Sequence, residues 1–222
     1  MSLEAELKAR FETREETFVH GGWEARILLP RAADALIDEA EFDANERLPY
    51  WADLWPSARA LARHLLDHPP VERIALELGA GVGLPSLALS RLGVDVTVTD
   101  WYAEALLFAE VNADRNELPA LRTLELDWLR EGPIQAVPLV IAADVLYEAR
   151  NAVSLASLLP RLVQPGGRAL LADPGRVYER DFRNRMVVQG WRVREIDRRG
   201  EISDPVSGAE STVRIWEMHP PA

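Results

Sequence analysis

Short apolar runs alternate with turns and amphipathic stretches from residue 73 onward. Residues 73–79 (RIALELG), 94–100 (VDVTVTD), 121–126 (LRTLEL), 137–144 (VPLVIAAD) and 168–173 (RALLAD) have the composition of buried strands. In 149–167, Ala152, Leu155, Leu158, Leu159 and Leu162 recur at helical spacing, and the run stops at Pro165-Gly166-Gly167. Residues 176–190 read as a further helix. Residues 191–197 and 211–218 read as two closing strands joined by a long polar connection, which predicts an antiparallel pair at a sheet edge. The alternation as a whole predicts an α/β fold, a mostly parallel sheet with helices on both faces. Ahead of it, Gly21-Gly22 between the β-prone residues of 17–29 predicts a hairpin.

With 222 residues, 48% of them hydrophobic, and no internal repeat or low-complexity linker, the chain is expected to form one domain. Residues 1–48 would be an N-terminal extension carrying the hairpin and residues 49–222 the α/β core. No stretch approaches the roughly 18 apolar residues of a membrane span, and the first residues are charged where a signal peptide is apolar. Cysteine is absent, which removes thiolate chemistry and suits a cytoplasmic location. A net charge of -11 disfavours nucleic acid and anionic membranes as partners and suits a basic one. Eight arginines in 176–199 alternate with acids and read as a solvated face, and Lys8 is the chain's single lysine. His20, His64, His68 and His219 show no metal-ligand spacing, with His64 and His68 expected on the exposed side of a helix, so no metal site is expected.

The densest chemical signal is LELGAGVGLP, residues 76–85. Gly79, Gly81 and Gly83 leave the first core strand where an open α/β sheet binds its ligand. A phosphate-binding P-loop needs a Gly-Lys-Ser/Thr ending, which is missing. A dinucleotide fingerprint needs Gly or Ala where Leu84 stands, and Glu77 places a carboxylate at the mouth of the loop, repelling a pyrophosphate and attracting an ammonium group. Asp100 ends the second strand, placed for ribose hydroxyls, and Asp127 ends the third, placed for an adenine amino group, with Trp128 beside it to stack on a base. Either aspartate can instead cap the turn that follows it.

Glu77-x-Gly79-x-Gly81-x-Gly83 resembles motif I of class I S-adenosylmethionine-dependent methyltransferases. Tyr50-Trp51 and Trp55-Pro56, together with Asp144-x-x-Tyr147 after the fourth strand, more narrowly resemble methyltransferase family 16, which includes lysine methyltransferases of electron-transfer flavoprotein β-subunits. The resemblance covers residues 48 to about 180. It implies a Rossmann-like seven-stranded sheet in the order 3-2-1-4-5-7-6, strand 7 antiparallel. It also implies S-adenosyl-L-methionine as cofactor, with Trp55 against it and Ala80, Trp101 and Ala143 in the same binding set, and Asp144 and Tyr147 as catalytic residues. Ser57-Ala58 stand where many members acting on the flavoprotein carry two glycines.

Methyl transfer from a sulfonium requires a neutral nucleophile held in line, and Asp144 with Tyr147 can orient an amine nitrogen. The implied acceptor is a protein lysine. A nicotinamide-like small amine is the rival acceptor, and a non-catalytic cofactor-binding module a third reading. The Asn/Asp-Pro-Pro-Tyr motif of base methylation is absent.

Overall fold

A computed structural model of the chain describes residues 2–32, 36, 48–128, 134–204 and 207–221. The end of the expected N-terminal extension, residues 33–35 and 37–47, lies outside the described residues.

A helix α1 (Leu3–Arg10) leads into a hairpin of β1 (Thr13–His20) and β2 (Trp23–Pro30), closed by Gly21-Gly22 as its two-residue turn. A single 3-10 turn (Tyr50–Ala52) precedes α2 (Pro56–Asp67). The core then runs β3 (Ile74–Leu78), α3 (Leu84–Arg91), β4 (Asp95–Asp100), α4 (Ala103–Arg115), β5 (Arg122–Glu125), β6 (Val137–Ala143), α5 (Ala149–Leu162), β7 (Val163–Asp173), α6 (Glu179–Val188), β8 (Arg192–Asp204) and β9 (Ala209–His219). The seven strands lie in the order β5-β4-β3-β6-β7-β9-β8. The first five are parallel, and β9 pairs antiparallel with both β7 and β8. This is the expected fold and strand order.

The apolar runs of β3, β6 and β7 are buried on both sides and their alternation assigns each residue to a face, whereas β5 lies at the sheet edge with Leu124 exposed. Leu76, Val140, Ala142, Ala169 and Leu171 point toward α5 and α6. Ala75, Leu139, Ile141, Leu170 and Ala172 point toward α2 and the inner sides of α3 and α4. A third cluster, with Leu7, Phe18, Ile27, Leu29, Trp51, Leu84 and Phe108, packs α1 and the hairpin onto the outside of α3 and α4.

Helix α5 passes Pro160 and ends at Leu162, and β7 begins at once, so Pro165-Gly166-Gly167 lies within the strand instead of ending the helix. Val163 already pairs with Val137, and the register then shifts before Leu139 pairs with Arg168. The early pairing of Val163 is what draws the chain into the sheet ahead of the turn residues.

Asn112, fully buried on α4, joins the hairpin to the core. Its amide donates to Leu28 O and Val82 O, each at 3.1 Å, and its carbonyl oxygen accepts from the Leu28 N–H at 2.7 Å. Replacing it by alanine strands three buried backbone groups. At about 1 kcal/mol or more for each, Asn112→Ala is expected to lower the unfolding free energy by about 3 kcal/mol in chemical denaturation.

Candidate active site

A cleft opens at the carboxyl ends of β3, β4 and β6, the place where sheets of this winding hold ligands. The loop after β3 forms its floor. Gly81 has φ +55°, and a Cβ there would stand 3.1 Å from the carbonyl oxygen of Trp51. At Gly83, φ +87°, a Cβ would stand 2.8 Å from that of Ala109. Glycine is therefore required first by the protein's own segments, which close on the loop from two sides.

Two carboxylates meet the donors of this loop. The Gly81 N–H donates to Asp100 Oδ2 at 2.9 Å, and the Tyr102 N–H donates to Oδ1 at 3.0 Å. The N–H of Ser86, in the first turn of α3, donates to Glu77 Oε2 at 3.1 Å, and the Ser86 hydroxyl donates to the same oxygen. The amides that a pyrophosphate would engage thus face carboxylates, a charge arrangement suited to a cationic, phosphate-free ligand.

Glu77 does not stand at the loop's mouth as expected. It lies beneath the loop, 1% exposed, because its strand is buried on both faces. Burial pushes its pKa up to about 8 despite the bonds from Ser86, and the nearby Asp100 charge acts in the same direction. A carboxyl so placed is largely protonated at neutral pH and ionises when a cation is brought against it.

The walls bring together Trp55, Gly79, Ala80, Trp101, Trp128, Ala143, Asp144 and Tyr147, all named from the sequence. Asp127 follows β5 half-buried and, like Gly83, does not line the cleft. Tyr50, Trp51 and Tyr102 do line it.

Asp144 follows β6 with φ +58°, a left-handed conformation uncommon outside glycine. Its N–H donates to Ala172 O at 2.9 Å, and Asn151 holds the turn by donating to Val145 O at 2.9 Å. The carboxylate is buried. Ser57 Oγ donates to Oδ2 at 3.2 Å and Arg176 Nε to Oδ1 at 2.7 Å. Above it stand three rings. Tyr50 meets Tyr147 edge-on with centroids 5.0 Å apart, and Trp55 with centroids 6.1 Å apart.

Sequence reasoning passed over Ser57, Tyr50 and Arg176. The signal for Ser57 was its departure from the glycine of related chains. Tyr50 was visible in the aromatic cluster before α2, while Arg176 was absorbed into a run of arginines. Much of that run is the solvated face expected, with Arg185, Arg194 and Arg198 exposed in surface ion pairs, whereas Arg176, Arg183 and Arg199 are half-buried against carboxylates.

His64 is also corrected. It is 5% exposed, because it shares the helical stripe of Ala60 and Leu61 that packs against the sheet, while His68 is exposed as expected. His64, His68 and Asp197 bring candidate ligand atoms within 4.8 Å of one another. However, Asp197 Oδ2 already takes both His64 Nδ1 at 2.8 Å and Arg199 Nε at 2.7 Å. Burial works against ionisation of Asp197, yet these partners hold its pKa at about 2. A guanidinium on the shared oxygen makes the cluster an ion-pair network.

The sequence model of the family described as Lysine methyltransferase matches residues 50–186. The chain belongs to this family. It is 34% identical over 134 residues to the electron transfer flavoprotein beta subunit lysine methyltransferase of Rattus norvegicus, covering 58% of this chain and 51% of that protein. The human protein of the same name is 30% identical over 182 residues, covering 78% and 68%. The histone-arginine methyltransferase METTL23 of Rattus norvegicus is 25% identical over 170 residues, covering 73% and 76%. The match spans about half the length of the first of these relatives. Among solved structures, the Thermus thermophilus 16S rRNA N2 G1207 methyltransferase in complex with AdoMet and guanosine aligns with a TM-score of 0.64 at 16% identity, over 94% of this chain and 51% of that one. The N-methyltransferase NodS of Bradyrhizobium japonicum, in complex with S-adenosyl-L-homocysteine, aligns with a TM-score of 0.59 at 16% identity, over 78% and 92%. These likenesses show the fold. Among the described residues, no helix is long and apolar enough to cross a membrane.

The family's glycine loop carries a pH signature in this chain. The folded protein keeps the Glu77 proton up to about pH 8, whereas an unfolded glutamate releases it near 4.5. Folding therefore takes up a proton in that window, and stability falls as pH rises through it. Asp173, raised to about 6 by burial, follows the same trend only at lower pH. The melting temperature is expected to fall from pH 7 to 8, with a flatter profile in Glu77→Gln. An equal fall in both proteins would exclude Glu77 as the source.

Proposed function

We propose that the protein is an S-adenosyl-L-methionine-dependent N-methyltransferase whose acceptor is a protein lysine side chain. The observation that carries this reading is Asp144, a buried carboxylate at the end of β6 that faces a cleft ringed by Tyr50, Trp55 and Tyr147. Family membership and the named activities of the relatives support it.

Glu77 would hold the cofactor's ammonium from below the loop, and Asp100 its ribose. Gly79, Ala80 and Gly81 would follow its backbone side, with Trp55, Trp101, Trp128 and Ala143 as walls; of the expected cofactor residues, all but Gly83 and the adenine acceptor Asp127 line one cleft. When bound, the cofactor supplies a methyl group activated by its positive sulfur. The protein must then hold a neutral amine in line with that methyl, an orientation effect that supplies several kcal/mol. Asp144 and Tyr147 orient the nitrogen, and its proton leaves to water through the open side of the cleft. No covalent enzyme nucleophile is involved. The net charge of -11 favours a basic protein as partner over nucleic acid.

The test is a labelled methyl transfer to recombinant electron transfer flavoprotein β-subunit of the same organism, with whole-cell lysate and nicotinamide as parallel acceptors. Mass spectrometry locates the label. Label on a lysine supports the proposal. Label on arginine or only on a small amine overturns the lysine assignment. Asp144→Asn is expected to lower turnover at least a hundredfold while S-adenosylhomocysteine affinity, measured by calorimetry, stays within about threefold.

A further inference from the structure

Arg176 is the cation bonded to Asp144, and its position is set by its own backbone. After β7 ends, Asp173 Oδ1 accepts from the Gly175 N–H and the Arg176 N–H, each at 2.7 Å. This turn directs the side chain back across the strand ends to Asp144, where Nε donates to Oδ1 at 2.7 Å. The guanidinium carbon lies 5.2 Å over the ring of Trp55, and Tyr50 contacts both Trp55 and Tyr147. Carboxylate and aromatic rings around one cation form the arrangement by which proteins hold alkylammonium groups. The cation held here is the protein's own.

We propose that Arg176 is a built-in occupant of the acceptor site, its guanidinium standing where the cationic head of the acceptor side chain docks, so that the acceptor must displace it from Asp144. The proposal rests on the reading that places the acceptor at Asp144. Both carboxylate oxygens already hold a donor, Ser57 on Oδ2 and Arg176 on Oδ1, and the guanidinium neutralises the charge that an incoming ammonium would pair with. Two cations on one carboxylate repel each other. Displacement is sterically simple: one Nε bond holds the guanidinium to the carboxylate, the side chain is 34% exposed, and the adjoining Val177 is 84% exposed. The sheet need not move.

Two consequences follow. The buried Asp144 charge stays paired before the acceptor arrives, so the site avoids an isolated carboxylate. The displacement also discriminates between acceptors. A side chain that enters as an ammonium replaces the charge it removes, whereas a neutral heteroaromatic amine does not. The acceptor class is therefore a cationic alkylamine, delivered by a partner whose other contacts offset the competition.

The experiment measures binding without turnover. N-acetyl-lysine methylamide and its uncharged counterpart N-acetyl-norleucine methylamide are titrated by NMR into the full chain saturated with S-adenosylhomocysteine. If Arg176 occupies Asp144 about nine-tenths of the time, removing it raises apparent affinity about tenfold. Arg176→Gln is thus expected to bind the lysine probe about tenfold more tightly than wild type. Arg176→Met, which keeps the apolar stem over Trp55, behaves alike, and Arg176→Lys stays near wild type. Adding Asp144→Asn abolishes the gain, and the norleucine probe shows none. In the wild-type protein, the Arg176 Nε–H resonance moves toward its solvent-exposed position as the lysine probe is added. Unchanged or weaker lysine-probe binding in the two neutral variants, with S-adenosylhomocysteine affinity intact, overturns the proposal, as does an Nε–H resonance unmoved at saturating probe. Failure of the lysine methyltransferase reading appears separately, as absence of label on protein lysine.

Discussion

The pairing of carboxylates with the donors of the glycine loop is the constraint on which the site depends. The turn after β3 and the first turn of α3 present backbone N–H groups of the kind that bind phosphate in many α/β proteins. Here Asp100 takes the Gly81 donor and Glu77 takes the Ser86 donors. Asp100 thus places negative charge at the loop, while Glu77, largely protonated at neutral pH, occupies the Ser86 donors that a phosphate would need. The same carboxylates make the crevice attractive to an ammonium group and to ribose hydroxyls. One exchange of partners thus separates this loop from the dinucleotide loop it resembles in glycine spacing.

The acceptor side is positioned by the neighbouring strand. β3 and β6 pair in parallel register, with Glu77 beside Ile141 and Leu78 beside Ala142, so Asp144 emerges close to the loop that begins at Gly79. Its left-handed backbone aims a short carboxylate into the cleft, where a regular continuation of the strand would carry the side chain along the sheet. The N–H and the carboxylate of this residue are both partnered: Ala172 takes the N–H, and Ser57 and Arg176 donate to the carboxylate. Serine at 57 thus has a positive role, because a glycine there would leave one oxygen of a buried carboxylate without this donor.

The parts legible in the sequence were those set by local repetition. Residues 139–142 alternate between the two faces of the sheet and could only be a strand buried on both sides; the two closing runs were legible as an antiparallel edge, although most of the polar stretch expected to join them belongs to β8 and β9 themselves. Charge pairing was not legible. Ser57 and Asp144 are 87 residues apart, Arg176 and Asp144 32 apart, and His64 and Asp197 133 apart, and no periodicity relates such positions. Helix α1 was missed because it lacks an apolar stripe, burying Leu7 alone and resting on Ser2 as its cap and on charge pairs. His64 was misplaced for a different reason: its polarity outweighed a helical phase that already put it beside Ala60 and Leu61.

The hairpin belongs to the site as well as to the fold. Arg14 of β1 bonds Asp53 at 2.8 Å, Glu16 bonds Arg59 on α2, and the hairpin core shares a cluster with Trp51, Ala52 and Leu54. The segment gripped in this way carries Tyr50 and Trp55, the rings that flank Asp144. The floor of the cleft comes from β3 and β4, whereas much of the acceptor wall is held by elements that precede the core sheet in the chain. Floor and wall meet at Gly81, whose missing side chain lets the Trp51 carbonyl approach. The carboxylates that organise the loop receive their donors from residues 81, 86 and 102, while the hairpin and the 48–57 segment reach the loop through Asn112, which joins Leu28 to Val82, and through the Trp51 carbonyl against Gly81.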